Sequence, residues 1–101
     1  MEILFMFWAK VHRIKDHIVA AICDEELIDE KIDFDGVEFH INRKFYGGEI
    51  VDDKKVLKIM ENSTIGNLVG KKIIDIALEK KYIANENIIL ISGVPHAQFI
   101  K

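Results

Sequence analysis

The alternation of apolar and polar residues divides the chain into a few short elements. Ile3–Ile14 is rich in aromatic and branched side chains and reads as a long first strand. Its opening run, Met1–Ala9, is continuously apolar after Glu2, yet it is much shorter than the roughly 20 residues of a membrane span. It also lacks the positive start and small-residue cleavage site of a secretion signal, so a buried strand is expected. A tight turn at Lys15–Asp16 leads to an antiparallel partner, His17–Cys23. Asp24–Ile28 predicts a helical turn with Asp24 as its N-cap. In Val37–Asn42, Val37, Phe39 and Ile41 alternate with Glu38, His40 and Asn42, the pattern of a half-buried strand.

After the break at Gly47–Gly48, Asp52 is placed to cap a helix of about ten residues. Val51 and Val56 stand at the spacing of a hydrophobic staple, and Val56, Ile59 and Met60 form the inner stripe. A second, longer helix is expected from Ser63–Thr64 to about Lys81, with Ile65, Val69, Ile73 and Ile76–Ala77 buried. Ile88–Ile91 is wholly apolar and reads as a central strand. Gly93–Pro95 then turns the chain, and Ala97–Ile100 forms a short last strand. The order predicts an α+β fold: a mostly antiparallel sheet of about 4–5 strands with two main helices packed on one face. No repeat or linker interrupts residues 1–101, which are expected to form a single domain.

Half of the 101 residues are hydrophobic, enough to build a core without disulfides or a structural metal. The one cysteine, Cys23, has no partner within the chain, which points to a reducing cytoplasm. Its neighbours Ile22 and Asp24 predict a buried thiol of raised pKa, not a nucleophile. No spacing of cysteine and histidine suits a zinc site, and no metal or cofactor is implied. The net charge of −3 excludes a global basic field, although Arg43–Lys44, Lys54–Lys55, Lys71–Lys72 and Lys80–Lys81 permit a local one.

Three segments could carry chemistry. Gly66–Lys72 (GNLVGKK) has only three residues between its glycines and no Ser/Thr after the lysine, so a nucleotide-binding P-loop is excluded. The two glycines are read instead as places of close approach, one helical turn apart. In Phe45–Glu49 (FYGGE), Gly47 and Gly48 could form an anion nest beside Tyr46, a stacking surface with a hydroxyl tip; a plain turn with Tyr46 half-buried is the alternative. In Gly93–Gln98 (GVPHAQ) the glycine–proline bracket would hold His96 and Gln98 in fixed orientations, His96 serving as base, donor or simply as a packed residue. His12, His17 and His40 read as surface residues.

The order CDEEL (Cys23–Leu27), FYGGE (Phe45–Glu49), NLVG (Asn67–Gly70) and GVPHAQ (Gly93–Gln98) resembles the archaeal domain-of-unknown-function family 424, over nearly the whole chain. Asp29 departs from the resemblance, standing where the family's stretch carries glycine. The resemblance implies an archaeal cytoplasmic protein without an established reaction, with an association with RNA and translation as the usual suggestion. Two functions follow as expectations. One is a binding module for RNA or a ribonucleoprotein, with no membrane partner. The other is a small enzyme acting on an anionic metabolite, with His96 as general base and the Gly47–Gly48 backbone holding the anion. Either way, Tyr46, Gly47, Gly48, Asn67, His96 and Gln98 are expected to converge as the binding surface. The sequence leaves the oligomeric state open.

Overall fold

In the computed structural model, which describes residues 5–101, β1 (Met6–Ile14) and β2 (His17–Asp24) form the hairpin expected around Lys15–Asp16. The part of the first strand expected at Ile3–Leu4 lies outside the described residues, as does most of the apolar opening run. After a 3-10 turn at Glu25–Leu27, the acidic stretch supplies β3 (Lys31–Phe34), which pairs with β4 (Val37–His40) as a separate two-stranded hairpin. One helical turn, α1 (Arg43–Tyr46), is capped by the Asn42 side chain, and β5 (Glu49–Asp52) returns to β1. Helix α2 (Asp53–Glu61) begins under an Asp52 cap, as the sequence predicts. Val51 and Val56 both enter the core, in keeping with a staple.

The longer helix does not form. Ile65–Val69 is instead strand β6, and helix α3 occupies only Lys71–Glu79. Ser63 and Thr64 cap nothing: Ser63 Oγ donates to the Ile59 carbonyl, and Thr64 Oγ1 ties the chain to the Ile18 backbone. The chain closes with β7 (Ile89–Ile91) and β8 (Val94–Ile100), joined by a two-residue turn at Ser92–Gly93, both at positive φ. Thus Pro95 lies within a strand rather than in the turn.

The main sheet has six strands in the order β5-β1-β2-β6-β8-β7. It is mixed, not antiparallel throughout, because β2 and β6 run parallel. The strand read as central, Ile88–Ile91, is the sheet's edge, with Ile89 and Leu90 exposed, and β8 takes the inner place. Helices α2 and α3 cover one face, where Phe7, Ala20, Ile22, Leu68 and Phe99 meet Val56, Met60, Ile73 and Ala77. The second face carries a smaller core, Ala21, Cys23, Ile41, Tyr46 and Val69, roofed by α1 and the β3–β4 hairpin. Val37, expected inside, projects beyond this roof and is exposed. Asp29 takes φ 70, a backbone conformation in which glycine is unstrained, and pairs with Arg43 at 2.8 Å.

The two glycines of GNLVG are close-approach positions, though not on a helix. Gly66 lies in β6 beneath the Phe99 ring. Gly70, at φ 120, ends β6 and caps α3, and its missing side chain leaves room for the carboxylate of Asp24. Asp24 does not cap its own turn. It accepts from the backbone N–H groups of Lys72 (2.9 Å) and Ile73 (3.0 Å) at the start of α3. The anion at this helix N-terminus is therefore one of the chain's own side chains.

Candidate functional site

The strand register lays the second face out in rows. The innermost is Trp8–Cys23–Val69–His96, under the roof of α1 and the β3–β4 hairpin. The next, at the roof's margin, is Lys10–Ala21–Asn67–Gln98, and beyond it His12–Val19–Ile65–Ile100. With strands about 4.8 Å apart, each row spans roughly 14 Å across four strands.

Three of the expected residues meet at the margin. The Tyr46 hydroxyl donates to Asn67 Oδ1 at 2.7 Å, and His96 Nε2 lies 3.1 Å from the same oxygen. A carboxamide oxygen only accepts, so this contact requires the imidazole proton on Nε2 and leaves Nδ1 as an acceptor. With Oδ1 doubly occupied, the Asn67 amide nitrogen keeps two N–H donors without a protein partner among the described residues. Gln98 stands beside it in register, exposed. A half-buried amide, an imidazole acceptor and a free carboxamide thus share one edge of an open sheet face.

The other expectations are corrected. Tyr46 is 3% exposed and offers no stacking surface; it holds Asn67 in place from below the roof. Phe45, its half-buried neighbour, is the accessible aromatic, stacked on His12 with ring centroids 4.9 Å apart. His12 is accordingly part-buried and bonded to the Phe45 carbonyl, whereas His17 and His40 are surface residues as expected. Gly47 and Gly48 form no nest: neither has positive φ, and their N–H groups donate to the Arg43 and Tyr46 carbonyls. Gly48 is instead crowded against the Ala9 carbonyl. Lys10, His12, Phe45, Ile65 and Ile100 were not anticipated at the site. The period-two pattern of MFWAKVHRI carries the signal for two of them, since it puts Lys10 and His12 on the face of Trp8.

Burial sets the protonation states. His96, under the edge of Phe39 at 5.5 Å, has its pKa lowered by desolvation, so it is neutral at pH 7. Tyr46 is pushed upward, chiefly by burial and then by the nearby Cys23. The Cys23 thiol, fully buried, is pushed up to about 12 by desolvation and by Asp24. An NMR titration of the His96 ring is expected to give a midpoint below the ordinary 6.5. Because the fold prefers the neutral ring, this part of the stability is present above pH 6.5 and lost as pH falls through the lower folded value. A midpoint at or above 6.5 would contradict the buried, Nε2-bonded imidazole.

Comparison with known proteins adds a family and a fold. The family model described as "Protein of unknown function (DUF424)" matches residues 12–101. An uncharacterized conserved protein from Methanopyrus kandleri has a similar crystal structure, with a TM-score of 0.78 and 23% sequence identity over 93% of this chain and 90% of that one. No curated protein matches the chain.

Proposed function

We propose for this chain, which belongs to the DUF424 family of proteins of unknown function, a binding role: a cytoplasmic module that holds single-stranded RNA, alone or within a ribonucleoprotein of the translation machinery. The observation that carries the proposal is the row Lys10–Ala21–Asn67–Gln98, bordered by the Phe45–His12 stack and the apolar row of Ile65 and Ile100. Unpaired bases present donors and acceptors on their edges and a flat face for apolar contact. The free N–H groups of Asn67, the Nδ1 acceptor of His96 and the amide of Gln98 suit such edges. Ile65, Ile100 and Phe45 suit the faces, while Lys10 and Lys44 stand near for phosphate.

The enzyme alternative loses its parts. The Gly47–Gly48 N–H groups are used internally, the Cys23 thiol is buried and protonated, and His96 is fixed to Asn67 through one nitrogen. These observations favour recognition over general-base chemistry. Among the described residues no helix is long and apolar enough to cross a membrane.

Fluorescence anisotropy with a labelled uridine-rich oligonucleotide tests the proposal. Binding is expected to be modest and to weaken steeply with salt, because few cations are engaged on a net-negative molecule. Gln98→Ala and Lys10→Ala should each weaken it by about three- to tenfold, the worth of one exposed hydrogen bond or charge contact. Lys80→Ala, outside the proposed site, should not. Absence of binding at low salt, or equal binding by all three variants, would overturn it.

A further inference from the structure

A second surface lies on the opposite side of β1. Strand β5 pairs with β1 only from Met6 to Ala9, because the chain reaches β5 from α1 through Gly47–Gly48. The two-residue turn at Lys15–Asp16 makes Ile14 and His17 the closing hydrogen-bonded pair. Counting back in twos, Ile14, His12 and Lys10 direct their backbone groups at β2, so Val11 and Arg13 direct theirs outward. Beyond Ala9 that outward edge has no strand beside it among the described residues.

The open edge borders a groove against α2. Two adjoining depressions of about 520 and 460 Å³ share Val11, Lys55 and Ile59. Their lining brings Arg13, Lys55 and Lys58 together against one acid, Glu49, whereas the ammonium of Lys10 turns to the other face and donates to the Lys44 carbonyl. None of these three cations forms an ion pair among the described residues; the ion pairs there are those of Arg43, Lys71 and Lys72. Val11 is 46% exposed and Ile59 half-buried, so the floor of the groove is apolar.

We infer that this edge and groove receive an extended, acidic polypeptide segment, which adds to β1 as a strand. Backbone groups of the segment pair with Val11 and Arg13, and alternate side chains enter the groove, where acidic ones meet Arg13, Lys55 and Lys58 and apolar ones cover Val11 and Ile59. Unpaired backbone at a strand edge is satisfied by another strand, whereas a nucleic acid would engage the cations and leave that backbone open. Cations along an edge repel basic strands and lose hydration without compensation under an uncharged one, and a second copy of this chain would bring its own Arg13, Lys55 and Lys58. The same charges select an acidic partner.

The test is amide hydrogen exchange by NMR on the whole chain, with and without an acetylated peptide of alternating glutamate and valine. The Val11 and Arg13 amides are expected to exchange rapidly in the free protein and to slow together when the peptide binds. Raising the salt, or the exposed charge reversals Lys55→Glu and Lys58→Glu, should weaken the peptide by about tenfold or more. No binding at low salt overturns the inference, as does binding that leaves those two amides exchanging freely. Equal binding of an uncharged peptide also overturns it. So does an oligonucleotide that occupies the groove in preference to the peptide. Since this surface is separate from the Asn67–Gln98 face, failure here leaves the RNA proposal standing, and the reverse holds as well.

Discussion

Replacing Asp24 with alanine is expected to lower the folding stability by about 3 kcal/mol, through the loss of two charge-assisted hydrogen bonds and the exposure of two N–H groups without partners. The carboxylate is 2% exposed and accepts from Lys72 and Ile73 at the start of α3, so it couples the end of β2 to a helix that begins after β6. Desolvation outweighs those donors and holds its pKa above 3.8. The fold thus favours the protonated acid, a contribution fully present below pH 3.8 and lost as pH rises through the folded value. At neutral pH Asp24→Asn should therefore cost less than Asp24→Ala. Thermal unfolding is the check: a fall on the order of 10–20 °C is expected for alanine in a domain of this size. A fall within experimental error would mean that Asp24 is not the internal anion of α3.

Gly66→Ala should be comparably damaging, although alanine usually stabilises a strand relative to glycine. An added Cβ would run into the Phe99 ring at Cε2. That ring is 4% exposed and packed against Tyr82 at 4.9 Å, so it has little room to withdraw. Overpacking of this kind costs about 2–3 kcal/mol. Phe99→Leu in the Gly66→Ala background should recover part of the loss, so that the double variant is less destabilised than the sum of the singles. Strict additivity would mean that the ring and the missing Cβ are not in contact.

The elements legible in the sequence are those with one covered face or a side-chain cap. The β1–β2 hairpin and α2 under Asp52 are of this kind. Strand β6 was hidden because it is covered on both faces: Leu68 packs under α3 while Val69 packs under the opposite roof. With alternation erased, Ile65, Val69 and Ile73 fall at a helical spacing by coincidence. The β3–β4 hairpin carried a clear signal in Asp35–Gly36, both at positive φ, between Phe34 and Val37. From sequence, only its second strand is expected, within Val37–Asn42, and Lys31–Phe34 stands without an element. Ile88–Ile91 reads as central from its composition alone, and only the sheet order reveals that β8 occupies that place.

For the site, the residue types were legible and the geometry was not. Asn67, His96 and Gln98 stand out as polar choices in apolar surroundings, and the structure brings them together with Tyr46. Asn67 stands in strand β6 rather than near the start of the longer helix expected from Ser63–Thr64. Tyr46 and Phe45 exchange the roles their order suggests: one turn of α1 carries the tyrosine inward and leaves the phenylalanine on His12. That outcome depends on where a four-residue helix sits over a distant strand, which no local pattern encodes.

The central claim is that the margin row of the second face is a recognition surface for unpaired bases. Its most direct test is an NMR titration of the labelled chain with a short uridine-rich oligonucleotide at low salt, following side-chain amides and backbone together. The predicted result is that the side-chain NH₂ signals of Asn67 and Gln98 move, with the backbone of Lys10 and Ile65, and that the α2 amides around Lys55 and Lys58 stay in place. Shifts centred on the β1–α2 groove, or no shifts at all, would contradict it.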